Sequence, residues 1–227
     1  MSLLHVVRVF VGPDGRGGNP LGVFVDGPEI APGRRQAVAE ELGFSETVFV
    51  DTIANGVARI AIFTPATELP FAGHPTVGTG WLLRDLGTAV DTLRCRAGDV
   101  AVWADGELAW IRARAAWVHS FPRDRLATPA EVDAVVPPAM GEQGRYVWAW
   151  EDEAAGRVRA RYFPTDLGIA EDEATGAAAV VMGDRLGRPV TIRQGVGSEL
   201  HVRPDPVSGT VDVGGRCRLE AVRDFAQ

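Results

Sequence analysis

The feature that most constrains this chain is a resemblance to itself at a displacement of 100 residues. RIAIFTPATELPFAGHPTVGTGWLLRDLG begins at Arg59, and RARYFPTDLGIAEDEATGAAAVVMGDRLG begins at Arg159. Identities are few: Arg59 with Arg159, Phe63 with Phe163, Leu86 with Leu186 and Gly87 with Gly187. The order of elements still agrees throughout. Each segment has a strand ending in Phe with proline close behind, a loop, a helix dense in Gly and Ala, and a glycine stop. Three strand-like runs follow each helix, DTLRCRAG, VAVWAD and ELAWIRA against VTIRQG, LHVRPD and TVDVGG, with turns at Asp105-Gly106 and Ser208-Gly209 in corresponding places. We therefore expect a duplicated α/β unit with halves 1–117 and 118–227 and central helices near 75–86 and 174–186. The stretch FPRDRLATPAEVDAVVPPAMGEQG between them suits a crossover with one short helix.

Local patterns fill in the first half. His5–Val11 and Leu21–Val25, separated by the turn-rich GPDGRGGNP, predict a β-hairpin with a long loop. Residues 33–42 predict a helix that stops at Gly43. The run FSETVFVD predicts a strand with Thr47, Phe49 and Asp51 on one face, Val48 and Val50 on the other, and Glu46 at its mouth. The predicted central helices, TVGTGWLL (76–83) and ATGAAAVVM (174–182), carry no charge, so each is expected inside its half, surrounded by strands. Gly78 and Gly80 each weaken a helix by about 1 kcal/mol relative to Ala, which predicts close backbone approach there.

Composition removes several function classes. The net charge of −7, with scattered basic residues, argues against nucleic-acid binding. All 23 basic residues are arginine, which excludes a lysine Schiff base and a P-loop lysine. His5, His74, His119 and His201 show no ligand spacing, so no metal is expected. Cys95 and Cys217 form no C-x-x-C pair and are expected as buried or semi-buried thiols, with a catalytic pair as the sharper alternative. No apolar run approaches the ~20 residues of a bilayer span and no secretion signal opens the chain, so a cytoplasmic protein without membrane contact is expected.

The candidate chemistry gathers at the two helix starts. Gly73-His74-Pro75 opens the first, with Pro75 suited to its first position. Glu171-Asp172-Glu173 precedes Ala174-Thr175-Gly176 at the second. First-turn N–H groups are unsatisfied and partly positive, so two starts facing each other would hold a carboxylate or an enolate-like oxyanion. Plainer roles stand beside this: Asp172 and Glu173 as helix caps, Glu46 as a solvated strand edge, His74 as a turn histidine.

The motifs GGNPLGVF, FSETVFV, FTPATELPFAGHPTVGTG and EDEATGAAA, in this order, resemble those of the phenazine-biosynthesis PhzF-like family. The resemblance implies an α/β (α+β) fold of the diaminopimelate-epimerase type. Two pseudo-symmetric domains, each a β-barrel-like sheet around a central helix, would flank an active-site cleft. It implies a cofactor-free isomerase, commonly homodimeric, in which Glu46 transfers the proton while His74 and Asp172 bind and polarise a small carboxylate-bearing substrate. Gly73, Pro75, Thr76, Thr175, Gly176 and Ala177 would hold the anion, with Asn19 assisting. Related racemases on this fold use two cysteines, but His74 and Glu173-Ala174 occupy those helix-start positions here.

Two departures matter. Glu173 and Ala177 stand where the family's motif usually has proline and serine, so a substrate hydrogen bond is lost and the substrate is expected to differ from the phenazine intermediate. The chain is also shorter than typical members between about Trp103 and Tyr162. A racemase or epimerase of an amino or hydroxy acid, and a non-catalytic small-molecule binder suggested by Ala177, are the alternative readings.

Overall fold

The computed structural model describes residues 2–118 and 120–226; His119, one of the histidines weighed as a ligand, lies outside them. The first half runs β1 (Ser2–Val11), β2 (Gly17–Phe24), α1 (Arg35–Leu42), β3 (Glu46–Ala54), β4 (Val57–Phe63), β5 (Glu68–Leu69), α2 (Gly73–Asp85), β6 (Thr92–Cys95), β7 (Gly98–Asp105) and β8 (Leu108–Ala113). The second runs β9 (Arg123–Arg125), α3 (Pro129–Asp133), β10 (Arg145–Asp152), β11 (Arg157–Phe163), α4 (Gly176–Leu186), β12 (Val190–Gln194), β13 (Ser198–Asp205) and β14 (Thr210–Phe225).

The two halves share one wiring. β3 and β4 are antiparallel, α2 follows, β4 pairs in parallel with β6, and β6, β7 and β8 form a meander. β10 and β11, α4, β12, β13 and β14 repeat that order. Even the turns coincide: Gly56 and Gly156, and Gly87 and Gly187, all have positive φ.

The halves differ in closure. β1 pairs with β2 on one side and β14 on the other, so the first-half strands make a closed ring around α2. The second-half sheet ends open at β9, a strand the sequence pattern did not predict. β14 serves both halves, its first part pairing with β8 and β13 and its last part with β1. We propose the division 1–117 and 118–227 on the shared wiring, with β14 common to both.

Burial explains the uncharged helices. Val77, Leu82 and Leu83 of α2 and Ala178, Ala179, Val180 and Met182 of α4 lie in one core cluster with the inner faces of the strands. A β-carbon on Gly78 would sit 2.5 Å from Val9 Cγ2 and 2.7 Å from Leu21 Cδ2, which is the expected close approach; Gly183 of α4 meets Val202 and Val211 in the same way. Val48 and Val50 face this core, while Phe49 faces a second cluster with Phe24, Phe63 and Val38 of α1.

Boundaries shift by a few residues. α1 begins at Arg35 because residues 32–34 form a tighter turn, and it ends at Gly43 with φ 66°. α2 begins at Gly73, so Pro75 falls within the first turn, where its missing N–H is harmless. α4 begins at Gly176. Among the described residues no helix is long and apolar enough to cross a membrane.

Candidate active site

The two helix starts meet backbone to backbone. A β-carbon on Gly73 would lie 2.6 Å from the carbonyl carbon of Gly176, and one on Gly176 would lie 2.7 Å from the His74 nitrogen. Neither start has a side-chain cap, so the first-turn N–H groups of two adjacent helix starts lack side-chain partners.

Glu46 and Asp172 open into the same cavity, about 330 Å³, beside this junction. Its walls come from both halves: Phe71 and Trp117 with ring centroids 5.5 Å apart, and Phe121 and Tyr162 at 5.1 Å. Leu69, Leu167 and Ile169 complete an apolar lining in which, among the described residues, no arginine takes part.

His74 stands behind Glu46. It is 2% exposed, and its Nδ1 lies 2.9 Å from Glu46 Oε2, although this approach lacks hydrogen-bond alignment. The opposite nitrogen, Nε2, is buried without a partner.

Asp172 is held by a denser set. Its backbone N–H donates to Tyr162 O at 2.9 Å, placing it beside β11. Asn19 Nδ2 donates to Oδ1 at 2.6 Å and Thr175 Oγ1 donates to Oδ2 at 2.5 Å. Asn19 is itself oriented, since Ser45 Oγ donates to its Oδ1 at 3.1 Å and its Nδ2 also reaches Ala174 O. Burial, followed by the charge of Glu46, pushes the Asp172 carboxyl up to about 7 against the opposing pull of Thr175, His74 and Asn19.

Gln194 completes the arrangement and was not among the expected site residues. Fully buried at the end of β12, it donates from Nε2 to Asp172 O at 2.9 Å and to Thr175 Oγ1 at 2.8 Å. Its signal in the sequence was the alternation Val190, Ile192, Gln194, which puts an amide on a core-facing stripe.

The remaining expected residues divide clearly. Thr175 and Ala177 line the cavity. Asn19 lies behind Asp172 and lines an adjoining hollow of about 390 Å³. Gly73, Pro75 and Gly176 are buried at the junction, and the Thr76 hydroxyl turns back to Ala72 O and Gly73 O, both at 2.9 Å. Glu173 is not a cap and lies outside the lining shared by Glu46 and Asp172, on the wall of the adjoining hollow. It accepts from the Val196 N–H and from Ser198 Oγ, which in turn accepts from the Gly18 N–H, tying the turn before β13 to the first half. Cys95 and Cys217 sit on β6 and β14, outside the cavity lining, and burial pushes the Cys217 thiol up to about 12.

The description "Phenazine biosynthesis-like protein" matches residues 9–143. The chain is 32% identical to a trans-2,3-dihydro-3-hydroxyanthranilate isomerase of Pseudomonas fluorescens over 226 aligned positions, covering 79% of this chain and 81% of that one. It is 30% identical to an uncharacterized isomerase of Pasteurella multocida, with 93% and 90% covered. Among solved structures, the PhzF-family phenazine biosynthesis protein of Bacillus anthracis superposes with a TM-score of 0.80 at 19% identity, covering 100% of this chain and 99% of that chain.

Proposed function

Since the chain belongs to the phenazine biosynthesis-like protein family and has its diaminopimelate-epimerase-like fold, we propose that it is an isomerase that moves a proton on a small carboxylate-bearing substrate in the cavity shared by Glu46 and Asp172. The observation that carries the reading is the meeting of these two carboxyl groups in one largely apolar chamber, next to two abutting, uncapped helix starts.

In this reading the first-turn N–H groups bind the substrate anion and stabilise charge that develops beside it. Glu46, with His74 behind it, removes a proton from the adjacent activated carbon and returns it elsewhere on the same face. Asp172, protonated below about pH 7, donates to the substrate and polarises it. The apolar walls exclude water and strengthen each of these interactions. Residues of this chain carry every proton step, and the family's homodimeric assembly forms part of the proposal. The relative from Pseudomonas fluorescens acts, by its name, on a dihydro-hydroxyanthranilate; Ala177 in the lining supports a different substrate here.

The test is a screen of small carboxylic acids in heavy water for enzyme-dependent deuterium uptake, followed by the same assay on Glu46→Gln. Exchange that survives this substitution undiminished rejects Glu46 as the base. A second reading, racemase or epimerase, is favoured by the high proton affinity of Asp172, which suits a second base facing Glu46. Inversion at a labelled stereocentre, without positional shift, selects it.

A further inference from the structure

The open side of the second half carries a feature with no counterpart in the first. The strand registers align the two halves residue by residue. Phe63 and Phe163 correspond, so Val48 corresponds to Tyr146 and Val50 to Trp148. In the parallel pairs β2–β3 and β9–β10, Val23 lies opposite Val48 and Arg123 opposite Tyr146. Arg123 and Arg125 therefore occupy the places of Val23 and Val25. Val23 is fully buried in the core around α2 and Val25 packs against it. Two aliphatic positions facing a central helix have become cations in the copy.

These arginines line a hollow of about 340 Å³ with Trp148, Met182, Arg185 and Leu186, beside the edge left open at β9. The charges there are poorly neutralised. Most arginines of the chain have a carboxylate within 3.3 Å, as Arg161 has Glu171 and Arg112 has Asp212. Arg125 has only Glu153 at 3.7 Å, and among the described residues Arg123 and Arg185 have no ion pair. Arg123 Nε is buried without a hydrogen-bond partner, its guanidinium lying over Phe121 at 4.9 Å. Burial, and then the neighbouring charge of Arg185, presses its proton affinity down. Like charges gathered at a partly desolvated wall are unfavourable unless an anion joins them.

We propose that this hollow is a second ligand site, separate from the acid/base cavity, that binds a small multivalent oxyanion, a phosphorylated or polycarboxylated molecule, between Arg123, Arg125 and Arg185 with its apolar part against Trp148. Guanidinium groups match such oxyanions with paired, directional hydrogen bonds. The volume suits a small molecule.

Isothermal titration of the full chain with pyrophosphate and, separately, citrate, at ionic strength held constant with chloride, tests the proposal. Pyrophosphate binding tighter than citrate assigns a phosphate-bearing ligand; the reverse assigns a carboxylate one, and either supports the site. Removing one charged hydrogen-bonding partner corresponds to roughly tenfold or more in affinity, so Arg123→Gln and Arg185→Gln should each weaken binding by at least that factor. Arg34→Gln, at an exposed arginine elsewhere, should leave it unchanged. Arg185 lies at an exposed helix end, so its variant tests the site even where Arg123→Gln does not fold. Absence of binding by either anion overturns the proposal, as does an equal loss in Arg34→Gln. A chain that self-associates without added anion and dissociates in Arg185→Gln makes the face an interface between copies instead.

Discussion

Gly73 and Gly176 come from segments that correspond in the two halves, and they touch through their main chains, with 2.6 Å left for a β-carbon where ordinary contact needs more than 3.4 Å. This contact fixes the distance between the two helix starts and so the width of the chamber that Glu46 and Asp172 share. Glycine is required at both places because the obstacle is backbone, which cannot turn aside as a side chain can.

Gly73→Ala should therefore push the starts apart. Overpacking of this kind costs about 1–3 kcal/mol, which for a chain of this size lowers the melting temperature by several degrees. Turnover should fall further than stability implies, because the N–H groups of both helices lose their common focus. Calorimetry and steady-state kinetics on the same preparation check this; an unchanged kcat/KM rejects the shared-focus argument.

Glu46→Gln should lower kcat by roughly 100-fold to 10,000-fold, the usual range for loss of a positioned acid or base. The amide keeps the shape of the side chain beside His74, so substrate affinity should change little. Equilibrium binding alongside single-turnover rates separates the two effects.

Asp172 gives activity a definite pH dependence. Its carboxyl is raised to about 7 in the folded chain, so if it works protonated, kcat/KM falls as pH rises through about 7, and Asp172→Asn flattens that limb. A limb that rises through the same pH identifies it as a base and favours the epimerase reading. Linkage fixes the sign for stability. The folded state holds this proton more tightly than the unfolded chain, so the contribution is fully present below about pH 4 and is lost as pH climbs to about 7. Denaturant midpoints for wild type and Asp172→Asn across that window measure the difference.

Much of this was legible in the chain because duplication leaves marks that do not need identity. The Phe-Pro strand ends, the glycine stops and the uncharged helices located both halves, whereas the placing of Glu46 and Asp172 in one cleft came from the family resemblance of FSETVFV and EDEATGAAA. What stayed hidden depends on strand register or on distant pairing. Asn19 was expected to assist at the site, but its bond to Asp172, across 153 positions, was not readable. Glu173 reads as a helix cap until its partners Val196 and Ser198 are seen. The strand β9 was invisible because Arg-Asp-Arg has neither β-branched nor aromatic residues; it pairs only because β10 lies beside it.

Gln194 acts on Asp172 through Thr175 rather than through substrate. Its amide donates to Thr175 Oγ1, leaving the hydroxyl hydrogen directed at Asp172 Oδ2. That hydrogen bond lowers the proton affinity of Asp172. Thr175→Val should therefore raise the apparent pKa of the limb that Asp172 governs above that of the wild type, with KM altered less than the pH midpoint. Gln194→Leu should move it in the same direction by a smaller step and, by orphaning the buried carbonyl of Asp172, destabilise the chain by about 1–3 kcal/mol. Gln194→Glu, which keeps the chain length but loses the two amide donors and adds a negative charge beside Asp172, should displace the midpoint further in the same direction. A midpoint identical in wild type and both Gln194 variants would leave the amide a packing residue with no part in tuning Asp172.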